Sequence, residues 1–402
     1  MKLKELHFFY AITILLFASV MLCNASRQRQ SNHILKSIKS EDGDVIDCVD
    51  MFHQPAFDHP LLKNHKIKIR PSNHPEELFV KDESSDVNSK TNKNRITQIW
   101  QLSGECPDGT IPIRRTDAKE DFFKANSNKK KHRSTNPRSY SSNGRNLLGA
   151  TSGHEYAVAT VAERGEYYGT RFNVTAWQPF VEGDNEFSLS QLWILADGDL
   201  GLNSIEAGWV VYPRILGDNR TRLFTYWTTD GYGSTGCWNL GCPGFVQVNN
   251  KIVIGGAIAN FSSDHPFSEI SLFVWMDKKQ DVWWLQYNGT QLGYWPAILF
   301  NRLNDSAQLI EWGGEIVNHN TNGIHTATQM GNGQFPYEKF ERASYFRNIE
   351  IMNETMVFGP PLGGNIGTIV SYENCYNISV GKNDDWGSFF YYGGPGRNSK
   401  CP

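Results

Sequence analysis

Two glutamates stand where hydrolytic chemistry is possible. Glu206 lies in "NSIEAGWVVYP" (203–213), between Ile205 and Ala207 and just ahead of Trp209. Glu315 lies in "LIEWGGEIV" (309–317), behind Trp312 and two glycines. Both stretches read as β-strands, in which alternate side chains share a face. Glu206 then shares its face with Ser204, Gly208, Val210 and Tyr212, while Ile205, Ala207, Trp209 and Val211 form the core face. Glu315 goes with Gly313 and Val317, opposite Trp312, Gly314 and Ile316. Each glutamate is expected to point outward with a glycine two residues away, leaving room for a substrate backbone. A bulge at Gly313–Gly314 would break this parity; without one, Glu311 shares the face of Glu315 and competes with it.

Two carboxylates that converge on one cleft can split their titrations. One stays ionised as general base on water, and the other keeps its proton as general acid or oxyanion stabiliser. The pair suits hydrolysis in acid. A glutamate on the polar face of an antiparallel strand is ordinarily just solvated, so the residues alone leave alternatives open. A glycoside hydrolase also sets two carboxylates on an aromatic-rich β scaffold. A non-catalytic wall or carbohydrate-binding protein is the other.

Further constellations are weaker. "HEYAV" (154–158) lacks the second histidine of a zinc-protease helix, and no G-x-S-x-G elbow occurs. Cys237 and Cys242 in "CWNLGC" have no second Cys or His pair nearby to complete a zinc site. His319 and His325 read as loop residues, so no metal and no cofactor is expected. The tail "YYGGPGRNSKCP" lacks the strand–helix setting of a phosphate loop.

Strands must position the glutamates. From residue 150 onward the chain runs through short apolar-alternating segments, among them "HEYAVATVA", "YGTRFNVTAW", "LSQLWILA", "RLFTYWTTD", "SEISLFVWMD" and "VWWLQYN". Turn sequences such as "GDNR", "DKKQD" and "NGT" separate them. The 36 glycines, 12 tryptophans, 16 tyrosines and 23 phenylalanines fit the same picture. The expected fold class is all-β, an antiparallel two-sheet β-sandwich preceded by a small propeptide domain.

The ends of the chain suggest secretion. Residues 1–25 have Lys2 and Lys4, the apolar run "FFYAITILLFASVMLC" and small residues before a cut after Ala25, the pattern of a signal peptide. The run is short for a membrane span, so no stable membrane anchor is expected. Six cysteines remain after such a cut, and their order suggests Cys48–Cys106, Cys237–Cys242 and Cys375–Cys401 among fifteen possible pairings. Sequons at Asn173, Asn219, Asn260, Asn288, Asn304, Asn353 and Asn377 are expected surface glycan sites.

Three mature segments follow: 26–125, a polar basic stretch 126–149 that reads as linker or processing site, and a main domain 150–402. Residues 26–149 hold 22 basic and 16 acidic residues, whereas residues 150–402 hold 15 and 25. A basic front held partly by charge on an acidic main domain would loosen in acid. The acidic main domain argues against nucleic acid as a partner.

Several stretches resemble the neprosin family of plant secreted proteins. "CVDMFHQPAFDHPLLKNHKIKIRPS" (48–72) and "WQLSGECPDGTIPIRR" (100–115) look like its activation peptide. "IEAGWVVYP", "FTYWTTDGYGSTGCWNLGCPGFVQV", "WWLQYNGTQLGYWP", "EWGGEIVN" and "MGNGQF" look like its catalytic domain. The resemblance implies a glutamic peptidase of two-sheet fold, made as a zymogen and cutting after proline at acidic pH. It implies that Glu206 and Glu315 are the dyad, with a hydrolytic water between them, and that the front segment is an intramolecular inhibitor. It also implies proline-containing peptides or proteins as substrates, and an extracellular, cell-wall or vacuolar location. Asn332 and Trp238 depart from the family's usual Ser and Tyr, away from the dyad.

Overall fold

A computed structural model describes residues 33–72, 97–115, 153–259, 267–319, 323–361 and 366–402. The leader 1–25, the stretch 126–149 and Asn260 lie outside them. The front segment forms a three-stranded antiparallel sheet of β1 (Ile34–Lys39), β2 (Val45–Asp50) and β3 (Thr110–Arg114). The rest forms two larger antiparallel sheets.

The seven-stranded sheet contains β4 (His154–Val161), β6 (Ser188–Gly198), β7 (Gly201–Val211), β8 (Arg222–Thr228), β9 (Cys237–Trp238), β14 (Leu309–Val317) and β17 (Ile366–Val370). Its order is β17-β4-β14-β6-β7-β8-β9. The nine-stranded sheet contains β5 (Gly169–Ala176), β10 (Val246–Gln247), β11 (Ser268–Asp277), β12 (Val282–Tyr287), β13 (Thr290–Pro296), β15 (Ser344–Met352), β16 (Phe358–Gly359), β18 (Asn377–Asn383) and β19 (Gly387–Gly393). Its order is β10-β13-β12-β11-β5-β15-β19-β18, with β16 on β15. The two sheets form the sandwich expected from the alternation. The alternation in the sequence did not mark β9, β13, β15–β19 or the front sheet.

Trp209 and Trp312 sit between the two sheets, fully buried, as their parity predicts. The indole of Trp209 donates to the Thr175 carbonyl of β5, and that of Trp312 to Thr170 Oγ1 of the same strand. Each ring removes roughly 200 Å² from water, worth at most about 5 kcal/mol. The indole bonds fix how the two sheets sit on one another.

The front segment is built into this core rather than resting on its surface. Val49, Met51, Ala56, Leu62 and Ile111 belong to the same continuous apolar cluster as the sandwich. Gln54 bonds the backbone of edge strand β10 in both directions, to Gln247 O and from Gln247 N. Beyond that edge, His65 and the Lys68 amide meet Tyr294 Oη, and Ser72 binds Asp277. The three disulfides are Cys48–Cys106, Cys237–Cys242 and Cys375–Cys401, the pairing suggested by order along the chain.

Candidate active site

Glu206 and Glu315 lie on one face of the seven-stranded sheet, opposite the interior tryptophans. Glu206 of β7 is level with Trp193 of β6 and Tyr226 of β8, and Trp193 is level with Glu311 of β14. Two residues along, Gly208, Gln191 and Gly313 share a row. Two further on, Val210, Leu189 and Glu315 share the next. Register runs unbroken from Glu311 to Val317 against β4, so no bulge forms and Glu311 keeps the face of Glu315. The outward glutamates are not solvated: Glu206 is 6% exposed, Glu315 7% and Glu311 0%.

The flanking glycines serve a different purpose from the one expected. A Cβ at Gly208 would lie 2.1 Å from Ser190 O and 2.6 Å from Gln191 Cα. One at Gly313, whose φ is +153°, would lie 2.4 Å from Ala157 O. The neighbouring strands, not a substrate, take the space. Gln191 is therefore the one side chain that these three strands contribute to the row between the two glutamates.

Glu206 is held by three donors. Ser204 Oγ and Tyr232 Oη donate to Oε1 at 2.5 and 2.6 Å, and Gln191 Nε2 donates to Oε2 at 2.9 Å. Burial pushes its carboxyl above the ordinary range; the donors from Ser204, Tyr232 and Gln191 oppose this, and the charge of Glu315 adds to it. Among the described residues no donor reaches the buried Gln191 Oε1.

Glu315 is hydrogen-bonded to His154 Nδ1. Burial disfavours the charged imidazole, but the Glu315 hydrogen bond and the charges of Glu315 and Glu206 prevail and raise its pKa. His154 is the first residue of the "HEYAV" stretch, and no spacing there marks this role. Tyr156 lies level with Glu315 and meets Trp193 edge to face at 6.5 Å. Tyr226 stacks on Tyr232 at 5.8 Å. Trp193 and Tyr226 thus lie on the same face as the glutamates, whereas Trp209 and Trp312 do not.

His325 lies elsewhere, paired with the buried Glu155 at 2.8 Å. Its nearest possible metal partners are Cys375 and Cys401, whose sulfurs are joined to each other and not available as thiolates. Among the described residues, the His319 backbone amide donates to Glu186. Of the sequon asparagines, Asn219 and Asn304 are exposed, and Asn173, Asn288, Asn353 and Asn377 are half-buried.

The ion pairs that tie the front segment to the sandwich run against the bulk charge split. Asp44 of the front binds the fully buried Arg222 of β8 at 2.6 and 3.1 Å, and Arg114 at 2.9 Å. Asp218 holds the other side of Arg222 at 2.5 Å. Arg222 is level with Val210, at one end of the Glu315 row.

The Neprosin family profile matches residues 184–395, and that of the Neprosin activation peptide matches 37–160. The chain belongs to the neprosin family. A neprosin activation peptide ahead of a neprosin domain is the make-up of a proenzyme. Among solved structures, the chain is similar to Scytalido-glutamic peptidase bound to a peptide-based transition-state analog. That similarity has 12% identity, 61% coverage of this chain, 98% of the other and a TM-score of 0.33. It is also similar to SCP-B, an Eqolisin-family peptidase in complex with the tripeptide Ala-Ile-His, at 10% identity, 60% and 98% coverage and a TM-score of 0.32. A beta-porphyranase from the human gut bacterium Bacteroides plebeius is similar at 10% identity, 39% and 55% coverage and a TM-score of 0.22. Among the described residues, no helix is long and apolar enough to cross a membrane.

Proposed function

We propose that this neprosin-family proenzyme is a secreted glutamic endopeptidase. Once relieved of its front segment, it hydrolyses peptide bonds on the carboxyl side of proline at acidic pH. The observation that carries the reading is the pairing of two enclosed carboxylates with different surroundings on one face of one sheet. Glu206, raised by burial, is the group that holds a proton in acid. It acts as general acid and stabilises the oxyanion. Glu315 is partnered by His154, which is positively charged in acid. Glu315, hydrogen-bonded to that imidazole, acts as general base on the attacking water. Gln191, between the two rows, anchors Glu206 through its amide. Glu311 takes no part in proton transfer.

The front segment inhibits by occupying its place in the fold. Its apolar residues complete the sandwich core, and Asp44 occupies Arg222 near the Glu315 row. The segment boundaries are the signal peptide at 1–25, the activation peptide at 26–125, the processing region at 126–149 and the peptidase at 150–402.

The test is mass-spectrometric mapping of cleavage in a protein substrate with several prolines, from pH 2 to 7, after acid treatment of the proenzyme. Cuts confined to the carboxyl side of proline and to low pH support the reading. Cuts at other residues refute the specificity. No cuts by processed, folded protein refute the activity.

A further inference from the structure

The loop between β8 and β9 carries one carboxylate, Asp230, held by donors of the loop itself. Asp230 accepts six hydrogen bonds. Three come from backbone amides, Gly233 N at 3.0 Å, Ser234 N at 2.6 Å and Thr235 N at 3.0 Å. Three come from hydroxyls, Thr228 Oγ1 at 3.1 Å, Ser234 Oγ at 2.9 Å and Thr235 Oγ1 at 2.7 Å. Thr228 Oγ1 in turn accepts from the Tyr232 amide at 3.2 Å. The loop closes around its own aspartate, and Cys237–Cys242 anchors the chain just beyond it.

Tyr232 is the residue this closure places. Its φ is +65°, a left-handed conformation unfavourable for a bulky side chain. Its ring stacks on Tyr226, and its phenol donates to Glu206 Oε1 at 2.6 Å. A strained tyrosine delivered onto a carboxyl that does chemistry must be held by its surroundings. The only charged group that the described loop offers for this is Asp230.

We infer that Asp230 is a positioning residue that locks the 228–236 loop so that Tyr232 holds Glu206 in its working orientation. The inference rests on Glu206 being a working group of a peptidase. Asp230 is suited to acid. Burial alone would raise its carboxyl, but the donors from Thr235 and Ser234 pull it down to about 2. The titratable groups facing it are Tyr226 and, through Tyr232, Glu206. Neither carries a positive charge that would hold it ionised in their place, so the donor cage does this. The loop therefore stays closed at a pH where ordinary surface carboxylates are protonated.

The test uses the acid-processed protein and three variants, Tyr232→Phe, Asp230→Asn and the double variant, with kcat and KM measured on a single-proline quenched peptide. Each single substitution is expected to lower kcat about 10- to 100-fold, the range for a hydrogen bond to a charged or reacting group. KM is expected to change by less than about threefold. The double variant is expected to be no worse than the weaker single, because both act through one contact. Amide hydrogen exchange at pH 3 is measured alongside. Protection of residues 231–235 is expected to fall in Asp230→Asn and to persist in Tyr232→Phe. Should Asp230→Asn fail to fold, Thr235→Val removes one donor and gives the same pattern at smaller size. Multiplicative losses in the double variant, or unchanged exchange in Asp230→Asn or Thr235→Val, would overturn the inference. Wild-type protein that is folded but cuts nothing refutes the peptidase reading instead, while the exchange arm still reports on the loop.

Discussion

The Asp44–Arg222 contact adds a pH-sensitive charge pair to the apolar and hydrogen-bonded attachment of the front segment. Arg222 is fully buried and is neutralised from two sides, by Asp44 and by Asp218. Replacing Asp44 with Asn keeps the shape but removes one of the two charges, along with one of the partners of Arg114. Breaking a buried pair typically costs 3–5 kcal/mol. Because Asp218 stays on Arg222, we expect about 2–3 kcal/mol, or a front segment held roughly 30- to 150-fold less tightly. The sign with pH is fixed by the direction of the shift. Burial pushes Asp44 up, but the hydrogen bonds and charges of Arg222 and Arg114 win and hold it below its ordinary value. Its contribution is therefore complete above about pH 4 and is lost as pH falls through the depressed value. The assay is the rate of front-segment release, followed by gel and activity, across pH 2 to 7. Wild type is expected to release it only in the acid range. Asp44→Asn should release it faster at every pH above 4, and its rate should depend less on pH. An unchanged release profile in Asp44→Asn would refute the latch.

Three further outcomes follow from the same geometry. His154→Ala should lower kcat roughly tenfold at pH 4, toward the small end because the imidazole is partly exposed. Since the pKa of His154 is raised, its charge is complete below about 6.5 and fades as pH rises through the higher value. The stability gap between wild type and His154→Ala in urea melts should therefore shrink above neutrality, and a constant gap would argue against the ion pair. Gly208→Ala forces a Cβ into the backbone of β6 and is expected to cost about 1–3 kcal/mol, read as a lower melting temperature with activity lost alongside.

Strand parity read from the sequence held where one chain's pattern decides it. Trp209 and Trp312 face the interior, and Glu206, Glu311 and Glu315 face away from it, because period-two alternation is a local property. The meaning of the glycines was not legible in the same way. Gly208 is needed because β6 comes close to where its side chain would be, and that proximity depends on Ser190 and Gln191 of the preceding strand. The partners of the two glutamates were hidden for the same reason. His154, Gln191 and Tyr232 reach the glutamates across strand pairings and a loop closure, none of which leaves a spacing in the sequence. Charge misled in a third way. Summed counts made the front segment basic and the sandwich acidic, yet the contact that ties them is an aspartate of the front on a buried arginine of the sandwich. Net charge describes long-range fields, whereas docking is decided by the few charges removed from water.

The most direct measurement is kcat/KM at pH 3 on a quenched peptide with a single proline, for acid-processed wild type, Glu206→Gln, Glu315→Gln and Glu311→Gln, all verified as folded. The two-glutamate mechanism requires that the first two substitutions each lower it by at least about a thousandfold, with Glu311→Gln within about tenfold of wild type. Activity above a tenth of wild type in Glu206→Gln or Glu315→Gln would contradict it, and loss in Glu311→Gln alone would move the chemistry one row along the sheet.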